Sequence, residues 1–260
     1  MNKNFLNNLF KLENKTVLVT GATGQLGSEI CKAYNEAGAR IIGVDKQLNP
    51  KKIIKSDKIE YITTDISKKD SIMQMFKNIY SKFSNLDILI NNAGVSVFEP
   101  FEERTEESFD WVVDVNLKGT FLCIQAYAAY AKKHGHNGNI INVASIYGLV
   151  SPDFRVYTDC LRKSSEVYGA TKAGIIQMTK YFAVHLSKDN IRVNCVSPGG
   201  IFNPENPQGE DFVRNYSQRC PMGRMADANE ITGAIVYLSS EASSYTTGQN
   251  IIIDGGMSCW

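Results

Sequence analysis

The strongest constraint on the fold is a regular alternation of short β-branched runs with longer helical segments. Thr16–Thr20 and Arg40–Asp45 have the length and composition of buried strands, whereas residues 69–83 carry apolar side chains at helical spacing. Further strands are predicted at 59–63, 86–90, 138–143, 191–196 and 250–253, and further helices at 25–38, 105–133, 165–188 and 233–239. Strands separated by helix-length segments predict one α/β domain with a doubly wound, mostly parallel sheet and helices on both faces.

Composition limits the partners and the cellular setting that we expect. The 260 residues carry 28 Lys plus Arg and 27 Asp plus Glu, so a net charge of +1 provides no general attraction to nucleic acid or an anionic membrane. No apolar run approaches the ~20 residues that span a bilayer, and asparagines interrupt the first residues, so no secretory signal is predicted. Six cysteines without CxxC spacing are typical of buried thiols in a reducing cytosol, and the three histidines form no metal set. We therefore expect a cytoplasmic protein with a small-molecule ligand and no metal.

A glycine-rich turn joins the first predicted strand to the first predicted helix. Its three glycines permit a tight turn and the close approach of a pyrophosphate to the helix N-terminus, where free amides and the helix dipole favour negative charge. The turn lacks the GKS or GKT of a triphosphate-binding P-loop. It predicts a dinucleotide site with cofactor contacts from Gly21, Thr23, Gly24, Gln25, Leu26 and Gly27.

Other candidate cofactor residues follow the ends of later strands. Asp45 closes the second strand, where a carboxylate can accept hydrogen bonds from the adenosine ribose and would repel a 2′-phosphate, which favours NAD(H). Lys46 leaves NADP(H) open, because a flexible cation could offset that repulsion. Asp65 and Ile66, after the third strand, are predicted to contact the edge of the adenine. Asn92, Ala93 and Gly94, after the fourth strand, are predicted to let the cofactor pass close to the backbone.

Tyr168 and Lys172 lie four residues apart in a predicted helix and therefore share one face. A free tyrosine titrates near ~10, which does not suit proton transfer at neutral pH. A cation beside the phenol favours phenolate and lowers its pKa. The pair thus predicts an acid-base catalyst.

In this order, the glycine turn, Asn91-Asn92-Ala93-Gly94, Asn116, Ser145, the Tyr168–Lys172 pair and Ser197-Pro198-Gly199 resemble the short-chain dehydrogenase/reductase family, whose fold is of the Rossmann type. The resemblance covers about residues 15–256. It implies that Tyr168 gives or takes the proton on the substrate oxygen, while Lys172 lowers its pKa and binds the nicotinamide ribose. It also implies that Ser145 hydrogen-bonds the reacting carbonyl or hydroxyl, and that Asn116 anchors a water in the proton relay.

The same resemblance places Pro198, Gly199 and Ile201 against the cofactor. It implies a homodimer or homotetramer, and Trp111 and Phe121 are expected to be core or subunit-contact residues rather than substrate contacts. Two positions depart from the common pattern of the short branch. Gln25 stands where a glycine is usual, and Asn203 stands where a threonine is usual, so a contact of Asn203 with the carboxamide stays open.

The interval from Ser145 to Tyr168 spans 23 positions, longer than the family usually has. Because both of its ends are candidate catalytic residues, the insert at about 149–165 is expected to border the substrate. Arg155, Arg162 or Lys163 would then meet a phosphate, carboxylate or sugar-nucleotide group, the alternative being a solvated surface loop. A second, mobile lid is predicted at about 203–222.

The expected domain organisation is a leader at 1–14 and a single catalytic domain at 15–260. The expected function is NAD(P)-dependent interconversion of a secondary alcohol and a ketone. The insert and residues 197–203 also resemble, more weakly, a bacterial subgroup associated with flagellin modification and acidic-sugar biosynthesis, which implies a small, polar, carbohydrate-type substrate. Two alternatives are a 3-oxoacyl-thioester reductase and a non-catalytic nucleotide-sensing or scaffold protein.

Overall fold

The computed structural model describes residues 5–83, 85–159, 163–205 and 208–260. These residues form a seven-stranded sheet in the order β3-β2-β1-β4-β5-β6-β7, with every neighbouring pair parallel. The strands are β1 (Thr16–Thr20), β2 (Arg40–Asp45), β3 (Ile59–Thr63), β4 (Ile88–Asn91), β5 (Gly138–Val143), β6 (Ile191–Pro198) and β7 (Asn250–Ile253). The predicted fold class is confirmed.

The α-helices of the described residues are α1 (Phe5–Phe10), α2 (Gln25–Glu36), α3 (Lys69–Lys82), α4 (Glu106–Val112), α5 (Thr120–His134), α6 (Glu166–His185), α7 (Glu210–Arg219) and α8 (Ala228–Ser239). The single helix predicted over 105–133 is wrong in one respect, because a π-helical segment at Val113–Gly119 separates α4 from α5. Two helices were not predicted: α1 lies within the expected leader, and α7 lies within the expected lid. None of the helices in the described part of the chain is both long and apolar enough to cross a membrane.

The two faces of the sheet carry separate hydrophobic cores. Leu18 packs with residues of α3 and α5 on one face, whereas Val17 and Val19 pack with residues of α2 and α8 on the other. All three side chains are fully buried. This explains why the strand sequence is continuously apolar, since successive side chains point to opposite faces and both faces are covered.

The strand order reverses between β1 and β4, which are neighbours in the sheet although two strands separate them in sequence. Ligands of open parallel sheets bind beyond the carboxyl ends of the strands at such a switch point. The glycine turn follows β1 and Asn92 follows β4, so both lie at this position.

Candidate active site

A cleft of about 800 Å³ opens over the carboxyl ends of the strands. It brings together predicted residues from seven separate parts of the chain. The predicted residues that line it are Gly21, Gly24, Gln25, Leu26, Gly27, Asp45, Asp65, Ile66, Asn92, Ala93, Gly94, Ser145, Tyr168, Lys172, Pro198, Gly199 and Ile201. Thr23, Asn116, Arg155 and Lys163 do not line this cleft, and Arg162 lies outside the described residues.

The glycine turn has the geometry that a bound phosphate group requires. Gly21 has a φ of 65°, and a Cβ there would lie 2.8 Å from the Cα of Ala93. No side chain caps the N-terminus of α2, and its first turn contains no acidic residue. The amides of the first turn of α2 are therefore available to an anion in the cleft, and the helix dipole adds to their attraction. These features fit the pyrophosphate of a dinucleotide.

Asn92 holds the glycine turn in place. Its Nδ2 donates hydrogen bonds to the carbonyl oxygens of Thr20 (2.9 Å) and Gly21 (3.1 Å). The backbone amides of Asn92 and Ala93 donate to Thr20 Oγ1, each at 3.1 Å. The segment after β4 is thus fastened to the end of β1, an arrangement that the small size of these residues did not by itself reveal.

Thr23 is hydrogen-bonded to Asp45. It is 5% exposed and lies behind Asp45 instead of lining the cleft. Its amide and hydroxyl both donate to Asp45 Oδ2, at 3.0 and 2.8 Å. Thr23 therefore orients the carboxylate that faces the cleft, and its direct contact with the cofactor stays a prediction.

Lys46 is also held by a neighbour. Its Nζ lies 3.0 Å from Asp65 Oδ2. The cation that could offset the repulsion of a 2′-phosphate is therefore paired with Asp65, which follows β3. Burial raises the pKa of Asp65, but hydrogen bonds from Ser67 and Lys46 outweigh it and lower the pKa below its usual value. Asp65 is consequently a firm partner for Lys46.

Ser145, Tyr168 and Lys172 converge at the other end of the cleft. Lys172 Nζ lies 5.4 Å from the centroid of the Tyr168 ring and donates to the carbonyl oxygen of Val143 at 2.8 Å. Burial lowers the pKa of Lys172 to about 8. Burial raises the pKa of Tyr168, and a hydrogen bond with Ser145 lowers it only partly.

These pKa directions give no support to the expectation that Lys172 lowers the pKa of the phenol. The ammonium is itself desolvated, with only 3% of Lys172 exposed, and it is directed to a backbone carbonyl. Desolvation disfavours the charged forms of both groups and therefore opposes the attraction between them. Among the protein groups, Ser145 is the one that favours the phenolate.

Asn116 lies within the π-helical segment and is fully buried. Its Nδ2 donates to the carbonyl oxygen of Val95 (2.9 Å) and to Thr171 Oγ1 (3.2 Å), while its Oδ1 accepts from the Val95 amide (2.8 Å). A Cβ on Gly94 would lie 3.5 Å from Asn116 Oδ1 and 3.4 Å from Lys172 Nζ. Asn116 thus lies behind the catalytic face and joins the segment after β4 to α6, as π-helical turns at functional sites often do.

The predicted cations of the insert do not border the cleft where the structure describes them. Arg155 forms a two-point contact with Asp153, at 2.8 and 2.7 Å, and its side chain is 86% exposed. Lys163 lies 5.7 Å from the centroid of the Phe154 ring, in a separate groove on the outside of the insert. Arg155 thus forms an intra-loop ion pair, and its contact with the substrate stays a prediction.

Aromatic residues line the substrate side of the cleft instead. Trp111 belongs to this set, and its expected role as a core or subunit-contact residue stays a prediction. Tyr157 and Phe212 are in ring contact, with centroids 5.0 Å apart. In the sequence, only their positions indicated such a role, because Tyr157 lies in the insert and Phe212 lies in the expected lid. The aromatic lining comprises Phe98, Trp111, Tyr147, Tyr157, Phe212 and Tyr216.

The segment after β6 is connected to both sides of the cleft. Gln25, which replaces the usual glycine, donates from Nε2 to the carbonyl oxygen of Phe202 at 2.6 Å. The amide of Gly200 donates to the Tyr216 hydroxyl at 2.6 Å. Asn203 accepts from the Glu205 amide at 3.1 Å and does not line the cleft. The departure at Gln25 therefore adds a bridge across the cofactor region.

The fold and this cleft define a dinucleotide-dependent oxidoreductase of the Rossmann type. A family model described as enoyl-(acyl carrier protein) reductase matches residues 21–258. The chain is 34% identical to the 3-oxoacyl-(acyl-carrier-protein) reductase of Thermotoga maritima over 95% of this chain and 99% of that protein. It is 31% identical to post-translational flagellin modification protein A of Campylobacter coli over 94% of this chain and 98% of that protein.

Solved structures give the same result. A short-chain dehydrogenase from Leptospira borgpetersenii with bound NAD⁺ superposes with a TM-score of 0.89 at 44% identity, covering 95% of this chain and 94% of that one. A gluconate 5-dehydrogenase from Burkholderia cenocepacia in complex with NADP and tartrate superposes with a TM-score of 0.86 at 25% identity, covering 97% and 98%. The chain belongs to the short-chain dehydrogenase/reductase family. It is an NAD(P)-dependent oxidoreductase that acts on CH–OH groups.

Proposed function

We propose that the protein prefers NAD(H) and interconverts a secondary alcohol and a ketone on a small, polar, carbohydrate-type substrate. The observation that carries the proposal is the arrangement of one cleft: Asp45 lies at the adenosine end, and Ser145, Tyr168 and Lys172 converge at the other. The dinucleotide supplies the hydride chemistry when it is bound, and the protein supplies position and proton transfer.

The proton is handled by the Tyr168 hydroxyl. Ser145, which hydrogen-bonds the phenol, holds the substrate oxygen beside it and favours the phenolate after the proton has moved. Lys172, held by Val143, keeps a donor at the nicotinamide ribose. Asn116 supports this group from behind through Val95 and Thr171.

The preference for NAD(H) follows from the carboxylates at the adenosine end. Thr23 fixes one oxygen of Asp45, so the negative charge remains at the cleft where a 2′-phosphate would lie. Lys46, the nearby cation, is paired with Asp65. The repulsion that Asp45 exerts on a 2′-phosphate is therefore not offset by a free ammonium from Lys46.

The substrate class follows from the charge of the cleft lining. Of the residues that the structure describes, the lysines and arginines that line the cleft are Lys46 and Lys172. Both are assigned to the cofactor, whereas the substrate side is aromatic and hydroxylated. Such a lining favours an uncharged, hydroxyl-rich substrate. The name of one relative, a gluconate 5-dehydrogenase, agrees with a hydroxyl-rich substrate but not with the absence of charge, because gluconate carries a carboxylate.

A fluorescence titration with NADH and NADPH tests the cofactor, and NAD⁺-linked turnover on sugars and polyols tests the substrate class. Tyr168→Phe should lower kcat by at least ~100-fold while NADH affinity is retained, because the substitution removes a proton donor and keeps the packing of the ring. Tyr181→Phe is the matched control, because Tyr181 lies on the same helix with 59% exposure. Tighter binding of NADPH would reject the argument from Asp45.

A 3-oxoacyl-thioester reductase is the second candidate. A groove of about 830 Å³ on the outside of the insert shares Tyr147 and Ser164 with the cleft. Leu149 and Phe154 give it an exposed apolar lining suited to an acyl chain. The Thermotoga maritima relative bears the name of such an activity. NADPH-dependent reduction of acetoacetyl-CoA in preference to any polyol reaction would establish this alternative.

We also propose that the protein is a cytoplasmic homodimer or homotetramer. Phe121 on α5 and Tyr181 and Val184 on α6 are exposed apolar side chains at the surface of these helices. Such a surface favours subunit contact. The five cysteines among the described residues are unpaired, four of them buried, which suits a reducing compartment. Light scattering of the purified protein tests the oligomer, and a monomer at working concentration would contradict it.

A further inference from the structure

The insert and the lid helix α7 are packed against each other along the length of the helix. At the start of α7, Asp159 Oδ2 accepts a hydrogen bond from the Phe212 amide at 3.3 Å. In the middle, Asn215 Nδ2 donates to Thr158 Oγ1 at 2.9 Å. At the end, Arg219 Nε lies 3.5 Å from Asp153 Oδ2. The insert therefore runs antiparallel to α7.

The contact at Asp159 requires a close approach of the two segments. A Cβ on Gly209, the residue that precedes α7, would overlap the Asp159 carboxylate. This carboxylate meets an unpaired amide of the first helical turn, where negative charge is stabilised by the helix dipole. Gly209 and Asp159 together fix the position at which α7 begins.

The same packing directs two rings into the cleft. Tyr157 of the insert and Phe212 of α7 have ring centroids 5.0 Å apart at an interplanar angle of 49°, and both line the cleft. Tyr157 is hydrogen-bonded to Tyr147, which follows Ser145 by two positions. Tyr216 fixes the other side of α7 by accepting from the Gly200 amide. The Tyr157 ring is thus held by Tyr147, close to Ser145. The helix that carries Phe212 is held by the segment after β6.

We propose that the insert braces α7 through Asp159, and that the Tyr157–Phe212 pair forms an aromatic cover which selects an uncharged ring substrate, such as a cyclic polyol or sugar. The proposal rests on the proposed function and names its substrate class further. Aromatic faces carry partial negative charge and pack against the C–H face of a ring. An extended chain offers less of such a face, so the cover should discriminate between the two shapes.

The brace is tested with Asp159→Ala, and Asp159→Asn is the conservative variant because an amide oxygen still accepts from the Phe212 amide. Loss of this helix-end contact should raise amide hydrogen exchange in residues 210–219 by about 2–10-fold, and Asp159→Asn should restore most of the protection. NADH affinity should stay at the wild-type level, which shows that the fold is intact. Unchanged amide exchange in Asp159→Ala would contradict the role of Asp159 in holding α7. This result does not depend on knowing the substrate.

The cover is tested with Tyr157→Leu, and Tyr245→Leu is the matched control. Tyr245 is fully exposed and lines neither the cleft nor the groove outside the insert. For a ring substrate, Tyr157→Leu should raise KM by about 2–12-fold while kcat changes less than twofold, since an aromatic contact is removed and the proton donor remains. Tyr245→Leu should leave both constants near the wild-type values.

The probes are myo-inositol and sorbitol, which carry the same number of hydroxyl groups on a ring and on a chain, together with simple pyranoses and acetoacetyl-CoA. Wild-type preference for ring substrates that is lost in Tyr157→Leu supports the aromatic cover. Equal effects of Tyr157→Leu on ring and chain substrates, or wild-type turnover confined to sorbitol or acetoacetyl-CoA, would overturn it. Failure of the proposed function has a different signature, namely NADH binding without turnover of any sugar or polyol.

Discussion

Replacement of Gly27 by alanine tests how the glycine turn is built. A Cβ at this position would overlap the carbonyl oxygen of Gly21 and would lie 2.8 Å from the Gly21 carbonyl carbon and 2.9 Å from Asn92 Nδ2. Neither neighbour can move freely, because Gly21 is backbone and Asn92 is committed to two carbonyl oxygens. The start of α2 must therefore shift away from the turn.

Two opposing terms limit the expected effect on stability. Overpacking costs about 1–3 kcal/mol, while alanine is favoured over glycine in a helix by about 1 kcal/mol. The unfolding free energy should therefore fall by roughly 0–2 kcal/mol. NADH affinity should fall by at least ~10-fold, or about 1.4 kcal/mol, because the amides that receive the pyrophosphate move with the helix.

Urea unfolding and an NADH fluorescence titration measure the two effects. Gly233→Ala in α8 is the matched control, since nothing lies within 4 Å of its added Cβ. This control should be stabilised by up to about 1 kcal/mol with unchanged NADH affinity. A Gly27→Ala protein with wild-type stability and wild-type NADH affinity would refute the reasoning.

Three further predictions concern the carboxylates, the lysine and the asparagine of the cleft. Asp65→Ala releases Lys46, so the Kd for NADPH should fall relative to that for NADH by about 2–5-fold in paired titrations, and an unchanged ratio would count against the ion pair. Lys172 titrates at about 8 in the folded protein against 10.5 ordinarily, so the unfolded chain binds more protons between these values. The unfolding free energy of the wild type should therefore rise across that window relative to Lys172→Met, by roughly 1.4 kcal/mol per pH unit, and parallel urea-stability curves would contradict this. Asn92→Ala removes one donor from each of the carbonyl oxygens of Thr20 and Gly21, of which Gly21 keeps the Gly24 amide, and should cost about 1–3 kcal/mol in urea unfolding, together with weaker NADH binding. Wild-type values for both would contradict the role of Asn92.

The sequence was sufficient for the fold class because the relevant signals are local. Val17, Leu18 and Val19 form a continuous apolar run, which a strand buried on both faces requires. The position of the glycine turn between a strand and a helix, and the four-residue spacing of Tyr168 and Lys172, are likewise properties of neighbouring residues. They were enough to predict the sheet edge at which these residues meet.

The π-helical segment was not predictable from the same signals. Val113–Gly119 continues the apolar pattern of α4 and α5, and its register change is visible only where Asn116 bonds to Val95 and Thr171. Those partners come from two other parts of the chain. A helix-period pattern cannot report a contact of this kind, so one long helix was the natural prediction.

By itself, the sequence determined the parallel sheet, and it predicted a turn that would receive a dinucleotide and the residue types needed for proton transfer. Only the tertiary structure decided that Thr23 faces Asp45 and that Tyr157 meets Phe212. It also paired Arg155 with Asp153 and desolvated Lys172. The physical reason is that strand and helix signals are set by near neighbours, whereas ion pairs, ring contacts and pKa values depend on groups brought together by packing from distant positions in the chain.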